Sequence, residues 1–253
     1  MEPAFRRLIR RISQSWVYTA RSSLCTGLKR RGGYDFLPFR KMDKDAAFLA
    51  TLTFRDKVVY DIGGYVGLFS LFFARAVENG RVITFEPVPK HRELIRDHLE
   101  LNHIKNVQLL PYGIGASFQK TTLLVCEEMG AYSTAHTEQK QRLSNQHKCQ
   151  EIPIEITPLD ELIRQKNLPI PDFIKIDVEG LEFAALQGME QTIKQYQPEL
   201  FIELHGYDNA QIAHWLLAHD YQIWQVRDGI TITNENTEMA KRFLYASPSK
   251  SSA

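Results

Sequence analysis

Cysteine is scarce in this chain of 253 residues: Cys25, Cys126 and Cys149 are the whole set. They lie far apart with no C-x-x-C spacing, which argues against a disulfide scaffold and against a structural zinc site. No apolar run approaches the ~18 residues of a membrane-spanning helix. The arginine pairs near the start are not followed by a continuous apolar region, so no secretory or twin-arginine signal is expected. No internal repeat is visible. Only residues 247–253 are low in complexity, and this tail is expected to be disordered. Together these absences predict a cytoplasmic protein.

Charge is nearly balanced, at +1 overall, but unevenly placed. Residues 1–41 carry ten Lys/Arg against Glu2 and Asp35, a net of +8, which leaves −7 for the remainder. Within this arm Phe5, Leu8, Ile9, Ile12 and Trp16 recur at helical spacing with Arg6, Arg7, Arg10 and Arg11 between them. That pattern predicts a basic amphipathic helix over residues 3–20. Such a helix can lie on an anionic membrane surface, making the protein peripheral to the membrane, or cap an apolar face of its own domain. The completeness of the stripe favours burial. A connector over 26–41 and a short helix near 43–52 complete an arm of residues 1–52.

From residue 57 strands and helices alternate. Strands are expected at 58–62, 81–85, 107–111, 173–178 and 199–204, and helices at 66–77, 90–102, 181–196 and 209–218. A further helix opens at Thr157-Pro-Leu-Asp-Glu with an N-cap and an acidic first turn. Two more strands, 119–125 and 152–157, flank a polar excursion over 126–150, and a closing hairpin is expected from 221–226 and 242–246. This is an α/β pattern: a mostly parallel sheet with helices on both faces.

Two segments carry chemistry. The first strand runs into a glycine turn, V-V-Y-D-I-G-G-Y-V-G-L-F-S, where Gly63, Gly64 and Gly67 permit a tight turn and close ligand approach. The second strand ends in F-E-P, placing Glu86 where a ribose diol would be held. A dinucleotide fingerprint needs G-x-G-x-x-G; the order here is D-x-G-G-x-x-G, and its leading acid suits a cationic ligand such as S-adenosylmethionine rather than a phosphate. The other segment, D-F-I-K-I-D-V-E-G, is a strand that ends in Asp177 and Glu179. Alternation sets Phe173, Lys175, Asp177 and Glu179 on one face. Ligands of open α/β sheets sit outside such strand ends, and Lys175 is read as an internal partner for a nearby carboxylate.

The succession D-I-G-G-Y-V-G, F-E-P, D-F-I-K-I-D-V-E-G-L-E and P-E-L-F-I-E-L-H resembles the FkbM family of S-adenosylmethionine-dependent methyltransferases, over roughly residues 57–206. The resemblance implies the class I methyltransferase (Rossmann-like) fold, seven strands in the order 3-2-1-4-5-7-6 with the seventh antiparallel, here occupying residues 53–246. It implies S-adenosyl-L-methionine as cofactor, with Asp61, Gly63, Gly64 and Gly67 beside the methionine part, Glu86 on the ribose hydroxyls, Gly113 and Ile114 near the adenine, and Asp177 facing the sulfonium. At Gly64-Tyr65 the chain departs from the family, where Ala-Asn is frequent, and the contribution of Tyr65 is left open.

Methyl transfer needs an acceptor held about 3 Å from the methyl carbon, in line with the sulfonium. Candidate catalytic groups gather at two strand ends, Asp177 and Glu179 on one, Glu203 and His205 on the other. His205, with an ordinary pKa near ~6.5, suits general-base work on a hydroxyl. The same donors suit a hard divalent cation, but a sulfonium explains the carboxylates as well, and no metal is expected. His136 and His147 have no partner at metal-ligand spacing. The excursion is read as a lid, with Gly130-Ala-Tyr-Ser-Thr134, and Tyr132 or Ser133 within it, facing a ligand.

The expected function is methyl transfer to a hydroxyl of a small molecule: a sugar, glycan or secondary metabolite. Methylation of RNA or protein is the alternative; the aromatics of the basic arm are scattered rather than interleaved for base stacking, so no nucleic acid is expected. A membrane-associated cofactor-binding protein without catalysis is the third reading. Retention of Asp61, Glu86, Asp177 and His205 speaks against it.

Overall fold

The computed structural model describes Ser13 and residues 15–33, 35–37, 42–126, 132–134, 149–206 and 208–249. The main sheet uses β3 (Val58–Ile62), β4 (Arg81–Phe85), β5 (Val107–Leu110), β10 (Phe173–Ile176), β11 (Glu199–Leu204), β12 (Tyr221–Gln225), β13 (Ile230–Ile232) and β14 (Arg242–Pro248). They lie side by side in the order β13-β12-β14-β11-β10-β3-β4-β5. β5, β4, β3, β10 and β11 are mutually parallel, and β14 runs antiparallel between β11 and β12.

The sheet therefore has eight strands, not the seven expected. The extra edge strand, β13, folds back on β12. Its turn closes at Gly229, whose φ of 66° is the left-handed conformation that glycine adopts freely, and Gln225 donates to Asp228. Asp228-Gly229 is a hairpin signal present in the sequence.

Helices α1 (Lys44–Leu49), α2 (Leu68–Ala76), α3 (Pro89–Leu101), α4 (Leu159–Lys166), α5 (Glu182–Gln187), α6 (Glu190–Tyr196) and α7 (Asn209–Ala218) cover the sheet. Strand alternation sorts the core into two layers. Tyr60, Ile62, Ile174 and Ile176 pack with Leu159, Leu186, Ile193 and Leu216. Val59, Phe173 and Phe201 pack on the opposite face with Leu49, Phe54 and Phe73. Lys175 and Asp61 belong by alternation to this second face, under α2.

One helix was expected over 181–196; two are present, broken at Gly188-Met189. A Cβ on Gly188 would collide with the carbonyl of Gly115, so the two backbones meet closely at the break. The N-cap expected at Thr157 is also absent. Pro158 occupies the cap position without a side-chain bond, and the Thr157 hydroxyl is buried without a hydrogen-bond partner. Asp160, in the acidic first turn, caps a neighbouring helix instead, accepting from the amides of Gln191 and Thr192 at 2.9 and 3.0 Å.

A second sheet, ordered β6-β9-β7-β8, comprises β6 (Gly113–Ile114), β7 (Gln119–Cys126), β8 (Tyr132–Thr134) and β9 (Cys149–Thr157). The excursion is thus shorter than 126–150: Cys126, Cys149 and Gln150 belong to strands, and residues 132–134 form β8. The rest of the expected lid, Gly130 included, lies outside the described residues. Cys25 is free and buried, while Cys149 is disulfide-bonded, a bond that the cysteine spacing did not predict. The register sets Cys126 opposite Cys149, so a hairpin brings together what the sequence spacing kept apart.

In the arm, β1 (Val17–Thr19) pairs with β2 (Lys29–Arg31) in an antiparallel hairpin. The helix expected over 3–20 lies mostly outside the described residues, and its end is strand. Val17, Tyr18 and Thr19 are strand formers with a partner strand at hand. The hairpin rests on α3: Arg31 N donates to His98 Nε2 at 2.9 Å, its guanidinium pairs with Asp97, and Lys29 N donates to Asn102. At the other terminus Ser247 and Pro248 extend β14, pairing with Gln222 and Tyr221, so the expected disordered tail is partly strand. Backbone hydrogen bonds continue there whatever the side chains. No described helix is long and apolar enough to cross a membrane.

Candidate functional site

A cavity opens at the carboxyl ends of β3, β4 and β10, closed on one side by Leu123, Ile154 and Ile156 of the second sheet. Gly63, Tyr65, Glu86, His91, Gly113, Ile114, Asp177 and Glu179 line it. Glu86 follows β4 and Asp177 follows β10, on either side of β3. Two strand spacings, roughly 10 Å, separate those positions.

The turn after β3 is shaped by close backbone packing. Gly63 has φ 81°, and a Cβ there would collide with the carbonyl oxygen of Asp177. Gly64 does not line the cavity; it lies against Thr84 and Ile95. Gly67, at φ 80°, caps the start of α2. Tyr65 takes φ 46°, an uncommon conformation for a side-chain-bearing residue. In that position its amide donates to Glu86 Oε2 at 2.7 Å, and its ring meets His91 edge-on at 4.9 Å between centroids.

Glu86 is 4% exposed. Oε1 accepts from Val88 N at 2.8 Å and lies 3.2 Å from His91 Nδ1. The carboxylate is oriented by its own chain and keeps acceptor capacity, since two oxygens offer about four lone-pair sites. His91 was not singled out in the sequence. Its place in the first turn of α3, five residues after Glu86, was the available signal.

The other side of the cavity is strongly acidic. Lys175 Nζ, fully buried, lies 3.3 Å from Asp61 Oδ1 and 3.4 Å from Asp177 Oδ2, donates to Gly63 O at 2.9 Å, and sits 4.9 Å above the Phe69 ring. Burial alone would lower its pKa; Asp177, Asp61 and Glu203 outweigh burial and hold the ammonium charged. Asp61 is wholly buried and absent from the cavity wall; its Oδ2 accepts from Ser70 at 2.6 Å. It lies behind the cavity wall, against Ser70 and Lys175.

His205 is held by a residue that opens α5, inside the helix expected over 181–196. Glu182, 4% exposed, accepts through Oε1 from His205 Nδ1 at 2.9 Å, Gly180 N at 3.0 Å and Val178 N at 3.3 Å. The turn that permits this has Glu179 at φ 52° and Gly180 at φ 99°. His205 Nε2 lies 3.4 Å from Glu179 Oε2 and 3.9 Å from Asp177 Oδ1. Neither His205 nor Glu203 lines the enclosed cavity; both stand beside its acidic wall.

Burial, reinforced by the charge of Asp177, pushes Glu203 up to about 8 and Glu179 up to about 7. Burial would lower His205, but the hydrogen bond and charge of Glu182, with Glu179 and Asp177, raise it to about 9. Donor atoms of Asp177, Glu203 and His205 all lie within 4.8 Å of one another, a spacing that can hold a metal ion. Lys175 already places one cation at Asp177.

These features can be set beside known proteins. A family model described as the methyltransferase FkbM domain matches residues 61–223. The chain is 25% identical over 164 residues to Methyltransferase 1 of Beauveria bassiana, covering 59% of this chain and 65% of that protein. It is 24% identical over 156 residues to the methyltransferase sdnD of Sordaria araneosa, covering 53% and 60%. Among solved structures, an FkbM methyltransferase from Methylobacillus flagellatus superposes with a TM-score of 0.51 at 20% identity, over 78% of this chain and 45% of that one. The chain thus spans less than two thirds of the length of each of these relatives. The superposition speaks for the fold alone.

Proposed function

The chain belongs to the FkbM methyltransferase family, and from that premise we propose that it transfers a methyl group from S-adenosylmethionine to a hydroxyl of a small molecule. The observation that carries the reading is the polarity of one cavity: a pre-oriented carboxylate, Glu86, after β4, and a carboxylate pair, Asp177 and Glu179, after β10. A ribose diol and a sulfonium on one ligand match both sides of it. S-adenosylmethionine, when bound, supplies the electrophilic methyl group.

The remaining work falls to the chain. Glu86 accepts from the ribose hydroxyls, and Gly113 and Ile114 form the wall for the adenine. Asp177 and Glu179 favour positive charge and orient it. His205 Nε2 takes the proton of the acceptor hydroxyl, with Glu203 beside it. In the free chain His205 holds its own proton at neutral pH, because Glu182, Glu179 and Asp177 surround it. A cation placed beside Asp177 and Glu179 repels that proton and returns the imidazole toward a pKa suited to base catalysis.

The test is incubation of the chain with methyl-labelled S-adenosylmethionine and a host extract, followed by separation into small-molecule, RNA and protein fractions. Label is expected in hydroxylated small molecules, and His205→Ala should abolish it without weakening cofactor binding. Label in RNA or protein would overturn the acceptor class; full activity of the variant would remove His205 as the base.

A further inference from the structure

The proton-accepting nitrogen of His205 is useful only if the ring is held with that nitrogen free. The residue that does this sits on another element. His205 follows β11, whereas Glu182 opens α5, and the two meet at 2.9 Å through Nδ1 and Oε1. We propose that Glu182 is the positioning residue for His205: it fixes the ring as the Nδ1–H tautomer, leaves Nε2 as the proton acceptor, and ties that ring to the turn that walls the cofactor cavity. This rests on the reading of His205 as the base.

Three observations carry it. An ionised carboxylate can only accept, so the hydrogen of this contact must be on Nδ1. The carboxylate is nearly sealed from water and its Oε1 also accepts from the amides of Val178 and Gly180, so it cannot swing away without opening the turn. Nε2, by contrast, lies 3.4 Å from Glu179 Oε2 and 3.9 Å from Asp177 Oδ1, both on residues lining the cavity.

The same oxygen therefore serves two structures at once. Val178 and Glu179 belong to the cavity wall, and the left-handed pair Glu179-Gly180 is closed by the Glu182 carboxylate. A shift of this turn moves the acidic wall and the histidine together. The charged groups around the ring are Glu182 from α5, Asp177 and Glu179 from the turn after β10, Glu203 from β11, and Lys175 beside Asp177.

The test is the NMR titration of His205 in the full chain, free and with S-adenosylhomocysteine, in wild type and Glu182→Gln. The variant keeps an oxygen for the two amides but loses the charge. The His205 midpoint should fall by about one pH unit or more, and the pH at which label transfer to the extract rises should fall with it. A purely structural role would reduce activity or stability without moving either midpoint. An unchanged midpoint in the variant would overturn the assignment of Glu182. His205→Ala with full transfer would instead overturn the base reading beneath it. Should the variant fail to fold, long-range 1H–15N correlation on wild type above the midpoint decides: the Nδ1–H tautomer supports the proposal and the Nε2–H tautomer refutes it.

Discussion

Replacing Glu86 with Ala should weaken cofactor binding by two to four orders of magnitude, and the magnitude follows from the site. Both carboxylate oxygens are held in place, Oε2 by Tyr65 N at 2.7 Å and Oε1 by Val88 N at 2.8 Å. A ribose diol would add two hydrogen bonds to a charged acceptor, each worth about 1.5–3 kcal/mol. The sum, about 3–6 kcal/mol, corresponds to roughly 10²–10⁴ in Kd. The same substitution strips an acceptor from the Tyr65 and Val88 amides, so fold integrity must be followed separately. Calorimetry with S-adenosylhomocysteine, which carries the same ribose, measures the affinity, and thermal unfolding without ligand measures the fold. Glu86→Gln, which keeps one oxygen, should lie between. Affinity within about threefold of wild type, under 1 kcal/mol, with unfolding unchanged would refute the ribose assignment.

Two further perturbations probe the acidic side. Lys175→Met removes the cation between Asp61 and Asp177 and should cost about 3–5 kcal/mol in chemical denaturation, as expected when one partner of a buried pair is lost. Adding Asp61→Asn should recover much of that cost, and a single-variant loss under about 1 kcal/mol would show the pair to be dispensable. Glu179, Glu203 and His205 all have folded pKa values above their ordinary ones, at about 7, 8 and 9. Raised values contribute stability at pH below the ordinary pKa and lose it as pH climbs through the folded one. The free chain should therefore lose stability between pH 5 and 9, on the order of a few kcal/mol. S-adenosylmethionine should blunt the loss. Unfolding midpoints that stay level or rise over that range would contradict the cluster as drawn.

What was legible in the sequence follows the range of the forces involved. The parallel strands and most of their helices came from local periodicity, and the glycine turn and Glu86 from residue types that only a few local conformations accommodate. The contacts that join distant segments were not legible. Glu182 is an acid in the first turn of a helix, and nothing local tells that His205, 23 residues on, folds back to 2.9 Å from it. The β1–β2 hairpin was hidden by a stripe of apolar residues that fits a helix as far as Trp16, although Val17-Tyr18-Thr19 is better suited to a strand. The Cys126–Cys149 register depends on a hairpin whose pairing no spacing rule supplies. The resemblance sets Asp61 beside the methionine part of the cofactor; strand alternation turns its side chain to the face under α2, where Ser70 donates to it and Lys175 pairs with it.

The glycine turn also bears on the proposed cofactor, a sulfonium nucleoside rather than a dinucleotide. Pyrophosphate sites on such turns depend on backbone amides left free to donate to phosphate oxygens. In this turn four amides are already engaged. Those of Gly63 and Gly64 donate to Phe85 O at 3.0 and 3.1 Å, that of Tyr65 to Glu86, and that of Gly67 to Gly64 O at 2.8 Å. An anion arriving there would find few donors and, at the end of the neighbouring strand, Asp177 and Glu179 on the cavity wall. Two like charges 4 Å apart repel by about 4 kcal/mol at an effective dielectric near 20. A cation gains from the same carboxylates. The order D-x-G-G-x-x-G thus does two jobs in one turn: its glycines let the backbone satisfy itself against β4 and Asp177, and its acid, paired with Lys175, anchors the floor under an anionic wall.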